Sequence, residues 1–200
     1  MNRENPIVTA GMRIGLLGGS FDPPHAGHVH ITRWALKVFR LDAIWWLVSP
    51  GNPLKTDAPA DMARRIGVAR EIMDHPRVHV SDIEARLGTR YTAETLAAIM
   101  ARYPQAHFVW LMGADNLRSF HHWDNWHLIL QGVPVGVLAR PGEQLAAGLS
   151  PAARRFMRYR LSPAEAPGLA LAQPPIWTLV TGPMLDLSST ALRKQGAWQR

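Results

Sequence analysis

Cysteine is absent from this 200-residue chain, which excludes a disulfide framework and thiol catalysis and sets a cytoplasmic location as the expectation. Long apolar runs are absent too. The longest, Ala43 to Val48, is far shorter than the roughly 20 residues a membrane helix needs. The first residues, Met1 to Pro6, are polar and lack the apolar centre of a signal peptide. A soluble chain with no membrane partner is therefore expected. Acidic residues are outnumbered, 15 against 22 basic, giving a net charge of +7, so the partners are anionic: nucleotide substrates, nucleic acid or an acidic protein. Charge alone does not choose among them. The one basic cluster, Arg154, Arg155, Arg158 and Arg160 around Tyr159, reads as a solvated helix face, and no basic groove with interleaved aromatics is present, so nucleic acid is not expected as a partner. Also missing are the P-loop pattern G-x-x-x-x-G-K-[ST], the dinucleotide pattern G-x-G-x-x-G, a carboxylate dyad and a Ser-His-Asp set.

What is present is concentrated in residues 18 to 30, Gly-Gly-Ser-Phe-Asp-Pro-Pro-His-Ala-Gly-His-Val-His. The apolar run Met12 to Leu17 before it reads as a buried strand, and Gly18-Gly19 lets the backbone approach a ligand closely. From Gly27 to Phe39, Val29, Ile31, Trp34, Ala35, Val38 and Phe39 recur at helical spacing. A helix start beside a glycine turn leaves N–H groups unpaired and favours an anion by about 0.3–1 kcal/mol. His25 and His28, three residues apart with Gly27 between them, can both donate to one polyphosphate. A capped turn with surface histidines, a metal pair and a dinucleotide loop are the competing readings. The metal pair lacks support: no cysteine and no carboxylate at zincin spacing accompanies the histidines.

Strand-like and helix-like segments alternate: strands at 12–18, 43–48, 77–80, 106–112, 133–138 and 176–180, helices at 27–39, 60–74, 92–103 and 123–131. With 47% hydrophobic residues, this predicts an α/β fold, a single Rossmann-like domain over 12–200 with a mainly parallel sheet and helices on both faces, preceded by a tail at 1–11. Ligands bind such sheets beyond the carboxyl ends of the strands, where Gly18, the Ser49-Pro50-Gly51 loop and Gly113 all fall. Residues 140–175, rich in Pro, Ala and Gly, are expected to form a surface excursion with a short helix at 151–159.

Each further motif has a structural reading beside a functional one. Asp186-Leu187-Ser188-Ser189-Thr190 before Ala191-Leu192-Arg193 is a helix cap or, with Arg193 one turn along, a phosphate grip. Asp115, after the strand ending at Gly113, is a helix cap or a ligand contact. Trp123 and Trp126 supply one core residue and one stacking platform. Thr92 caps the helix it starts, while neighbouring N–H groups can receive a carboxylate. Lys55 is a solvated loop residue unless the loop faces a ligand.

The segment 18–28 resembles the H-x-G-H signature of the nucleotidyltransferase superfamily and, in its longer form, the bacterial nicotinate-nucleotide adenylyltransferases. Four more blocks occur in the order expected of that family: Asn52-Pro53-Leu54-Lys55, Tyr91 to Leu96, Gly113-Ala114-Asp115 followed by Trp123, and Ser188 to Arg193. One departure is Leu54, where the family often carries His.

The resemblance implies joining of ATP, with Mg²⁺, to nicotinate mononucleotide, giving the deamido dinucleotide and pyrophosphate. Sister enzymes using nicotinamide mononucleotide or phosphopantetheine, and a non-catalytic nucleotide-binding protein, are the alternatives. By resemblance His25, His28 and Arg193 are catalytic; Gly18, Gly19, Ser20, Phe21, Gly27, Gly113, Asp115, Ser188, Ser189 and Thr190 join them at ATP. Asp22, Lys55, Tyr91, Thr92 and Trp123 are implied at the mononucleotide.

Overall fold

The structure is a computed structural model that describes residues 6–51, 58–139, 142–182, 189–194, 196 and 198, the side chains of 190, 191 and 194 excepted. Its centre is a parallel sheet of seven strands: β1 (Arg13–Gly19), β2 (Ala43–Val48), β3 (Val78–Ser81), β4 (His107–Gly113), β5 (Val135–Ala139), β6 (Arg160–Leu161) and β7 (Trp177–Thr181). They lie in the order β3-β2-β1-β4-β5-β7-β6. Growth to one side reverses between β1 and β4, whose register pairs Leu17 with Leu111. That reversal opens a crevice at the carboxyl ends of both strands.

Burial alternates along the central strands because successive side chains point to opposite faces. Ile14, Leu16, Trp45, Leu47, Phe108, Trp110 and Met112 belong to one core; Leu17, Ile44, Trp46, Val48, Val109 and Leu111 belong to the other. Both faces are covered by helices. The second core takes Ala35 and Leu36 of α1 (Ala26–Val38) and Ala69 of α2 (Met62–Ile72). The first takes Ile83 of α3 (Ile83–Leu87), Leu96 and Ile99 of α4 (Thr92–Arg102) and Leu117 of α5 (Ala114–Ser119). Each leucine or isoleucine so buried contributes roughly 1.5–3 kcal/mol.

Three expectations change. The helix expected at 123–131 starts at Trp126 instead, as α6 (Trp126–Gly132), because Trp123 is extended and Asn125 is left-handed at φ 48°. The surface excursion expected over 140–175 is part of the body of the fold. There α7 (Gln144–Gly148) and α8 (Pro151–Arg155) bury Ala147, Ala152 and Ala153, and a 3-10 stretch Pro163–Leu171 buries Ala166, Leu169 and Ala170. Small apolar residues at irregular spacing produced no periodic signal, yet they let this backbone lie close to the sheet. The helix expected at 151–159 ends at Arg155 and continues as a 3-10 turn. Within the described residues no helix is long and apolar enough to cross a membrane.

Candidate active site

The crevice is floored by Gly18, where any β-carbon would stand 2.4 Å from the six-membered ring of Trp110. A rigid, buried indole has no room to retreat, so the glycine permits the contact. Beyond Gly19 the chain turns through Phe21, which holds a left-handed φ of 46° and is fully buried between Trp46 (ring centroids 4.9 Å apart) and His28 (4.7 Å). A non-glycine residue kept in that region signals a loop whose shape is imposed by its surroundings.

His25 is the N-cap of α1. Its Nδ1 accepts from Gly27 N at 3.1 Å, and Nδ1 of His28 accepts from His25 N at 3.2 Å. These two bonds determine the tautomers. With each Nδ1 used as an acceptor, each neutral ring carries its proton on Nε2, so both imidazoles are donors, their centroids 4.0 Å apart. Burial, reinforced by His25 and opposed by the backbone bond, pushes the His28 pKa down to about 3. His28 therefore presents a neutral N–H donor at ordinary pH.

The helix α9 (Ser189–Lys194) closes on this loop across the length of the chain. Ser189 Oγ donates to the Pro23 carbonyl at 2.9 Å, and Arg193 donates to the Asp22 carbonyl. Asp22 is 1% exposed, its Oδ1 accepting from Trp198 Nε1 at 2.7 Å and Ala60 N at 3.3 Å, with Arg193 3.7 Å from Oδ2. Asp22, expected at the mononucleotide, thus has both carboxylate oxygens beside groups of the protein itself. Its surroundings make it a clasp between the signature loop, α2's approach and the C-terminal segment.

Arg65 ties the loops together from beneath. It is 1% exposed and donates to the carbonyls of Ala60 (2.7 Å), Ser20 (2.6 Å) and Ser49 (2.8 Å). Burial lowers its pKa while Asp22 opposes the shift. Its one signal in the sequence is spacing: Arg65, Ala69 and Met73 recur every four residues on the buried face of α2 and its C-cap. Nothing in the sequence marks Trp198, whose ring also carries Arg64 stacked 4.0 Å from its centroid.

Across the crevice, Asp115 is the second residue of α5 and not its cap, which is Gly113. The carboxylate folds back over Gly113, so a β-carbon there would lie 2.3 Å from Asp115 Oδ1. Trp123 is half-buried and meets Trp110 and Phe120 edge-on, at 6.3 and 5.2 Å. Trp126 is also half-buried, against Phe120 and Phe156. Neither is a fully enclosed core residue.

Thr92 is the first helical residue of α4 and Tyr91 its N-cap, so the capping expected of Thr92 is done otherwise. Glu94 accepts from Arg90 N (3.3 Å) and Tyr91 N (3.4 Å). The N–H groups that follow, of Thr92 and Ala93, are among those a helix start leaves to outside partners. Lys55 and Ser188 lie outside the described residues, as does the side chain of Thr190. Among the described residues no group of three His, Asp or Glu side chains is placed to hold a metal ion.

Residues 16–195 match the cytidylyltransferase-like family. A protein of Cereibacter sphaeroides named as a probable nicotinate-nucleotide adenylyltransferase is 63% identical over 188 residues, 94% of this chain and 100% of its own length. One of Ruegeria pomeroyi with the same name is 56% identical, covering 99% of this chain and 93% of its own. In fold, the chain is similar to Plasmodium falciparum nicotinic acid mononucleotide adenylyltransferase complexed with NaAD, with TM-score 0.69 at 17% identity over 92% of this chain and 83% of that one.

Proposed function

Since the chain belongs to the cytidylyltransferase-like family, and within it to the nicotinate-nucleotide adenylyltransferases, we propose that it joins ATP to nicotinate mononucleotide. The products are the deamido dinucleotide and pyrophosphate. One observation carries the reading: two imidazoles whose Nδ1 atoms accept from the backbone, leaving Nε2 to donate at the mouth of α1, beside a loop to which α9 brings Ser189 and Arg193.

In the reaction a phosphate oxygen of the mononucleotide attacks the α-phosphorus of ATP, the new P–O bond forms, and the bond to the β-phosphate breaks. That oxygen is already anionic near neutral pH, so no side chain has to remove a proton. Catalysis is positioning and charge stabilisation. His25 and His28 donate to the phosphates through Nε2–H, and Arg193 supplies charge to the triphosphate. Gly18, Gly19, Ser20, Phe21 and Gly27 shape the cradle, and Ser188, Ser189 and Thr190 add hydroxyls. Mg²⁺ enters as part of the ATP complex, since it is commonly held through substrate phosphates. Gly113 and Asp115 face the ribose. Lys55 approaches the mononucleotide phosphate, Trp123 stacks on the pyridine ring, and the start of α4 at Tyr91 and Thr92 receives the ring carboxylate.

Pyrophosphate release from ATP, with each mononucleotide offered separately, tests the assignment. Turnover with nicotinate mononucleotide, exceeding that with the nicotinamide form, is expected. No release with the acid would overturn it.

A further inference from the structure

One guanidinium gathers the backbone where three segments of the site meet. Both hydrogens of Arg65 Nη1 are used, one on the Ser20 carbonyl at 2.6 Å and the other on the Ser49 carbonyl at 2.8 Å. Nε gives its single hydrogen to the Ala60 carbonyl at 2.7 Å. Ser20 belongs to the signature loop that leaves β1. Ser49 and Ala60 stand near the two ends of the segment that joins β2 to α2 and contains Lys55 in sequence. Among the described residues no other group donates to any of these three carbonyls. Two shorter ties flank the bridge: Ser49 N donates to the Gly19 carbonyl at 3.0 Å, and Ala60 N to Asp22 Oδ1 at 3.3 Å.

On the reading that ATP lies along the signature loop and the mononucleotide phosphate along the segment between β2 and α2, we propose that Arg65 is a positioning residue for the transfer step: by bridging Ser20 to Ser49 through one nitrogen, it sets the separation of the two reacting phosphates. An in-line displacement responds steeply to that separation, since a misplacement of about 1 Å costs on the order of 10²-fold in rate. The shape of the donor matters as much as its charge. A guanidinium is a rigid plane that holds its acceptors at fixed angles to one another, whereas an ammonium is a single centre on a flexible stem. The direction of a loop N–H follows too. The Ser20–Phe21 peptide is planar and trans, so a carbonyl held toward Arg65 turns the Phe21 N–H the opposite way. Phe21 itself keeps a φ of 46°, which a non-glycine residue holds only where its surroundings impose it. The positive charge, by contrast, acts on phosphates over distance and needs no fork, so substitution separates the two contributions.

Arg65→Lys keeps the charge and loses the fork; Arg65→Met loses both. For each variant, with folding checked by circular dichroism, the measurements are pyrophosphate formation in a single turnover at saturating substrates, which leaves product release out, and KM for each substrate. Arg65→Lys is expected to slow the single turnover about 10²-fold with both KM values within about threefold of the wild type. Arg65→Met should slow it as much and raise KM for ATP as well. A folded Lys variant with the wild-type single-turnover rate overturns the role, because charge alone would then suffice. If the Lys variant does not fold, the Met variant decides, and an unchanged rate at saturation overturns the role again. Failure of both to fold overturns it too, by making Arg65 a requirement of folding and not of transfer. A wild type that forms no pyrophosphate from ATP and nicotinate mononucleotide would instead remove the underlying reading, before any substitution is made.

Discussion

The starts of α1 and α4 both open toward the ligand side of the sheet, and they are capped in opposite ways. At α1 the capping atoms are imidazole nitrogens, and the first turn contains no acid. At α4 the cap is the carboxylate of Glu94, exposed in the first turn. An imidazole satisfies a backbone N–H with one nitrogen and keeps a donor on the other, so capping adds to the anion site. A carboxylate satisfies two N–H groups and brings a negative charge, so capping subtracts from it. The first arrangement suits a polyphosphate; the second tolerates a single, weaker anion and so has room to discriminate.

His28→Ala removes one donor from the α1 start and is expected to lower kcat by about 10²–10³ while the protein stays folded by circular dichroism. Normal turnover in the folded variant would erase the distinction between the two ends. Thr92→Pro acts at the other end. Proline suits the first helical position and extended Tyr91 accepts it, so α4 should persist while one N–H is lost. The acid-over-amide ratio should fall about tenfold with kcat/KM for ATP unchanged; a parallel loss for both mononucleotides would place the ring elsewhere. The smallest effect is expected from Glu94→Gln, which keeps the acceptor and removes the charge. It should raise the acid preference roughly twofold, measured as the same ratio at low salt.

The buried carboxyl of Glu84 sets a stability gradient with pH. A carboxyl whose folded pKa of about 7 exceeds its unfolded value holds its proton more firmly when folded, so stability falls as pH climbs between the two. The full cost is about 3 kcal/mol, and chemical denaturation of Glu84→Gln beside the wild type should show the variant gaining relative stability from pH 5 to pH 8.

Residues 12 to 48 were legible because strand, glycine turn and helix each follow their own period, and the chemistry sits at the junction. Runs such as Ala43 to Val48, buried on both faces, read equally well. Short elements did not: α3 and α5 span five and six residues, too few for a helical repeat to register. Within the site, glycines and histidines announced themselves by type. The residues that fix their geometry did not, because Asp22 and Arg65 have ordinary charged side chains whose burial depends on contacts made far along the chain. Asp22 illustrates the limit: its motif was recognised, but only the fold shows its carboxylate turned toward Trp198 and Arg193.

Arg65 has one further consequence, for how the enzyme responds to ionic strength. Around the signature loop two guanidiniums, Arg65 and Arg193, stand beside Asp22, and Asp61 also acts on Arg65. Arg65 is wrapped by three carbonyls and closed to solvent, so counter-ions that neutralise surface arginines cannot crowd around it. Raising the salt should therefore weaken the long-range attraction of the basic surface for nucleotides while sparing the pull from beneath the loop. Encounter slows; the grip, once made, holds.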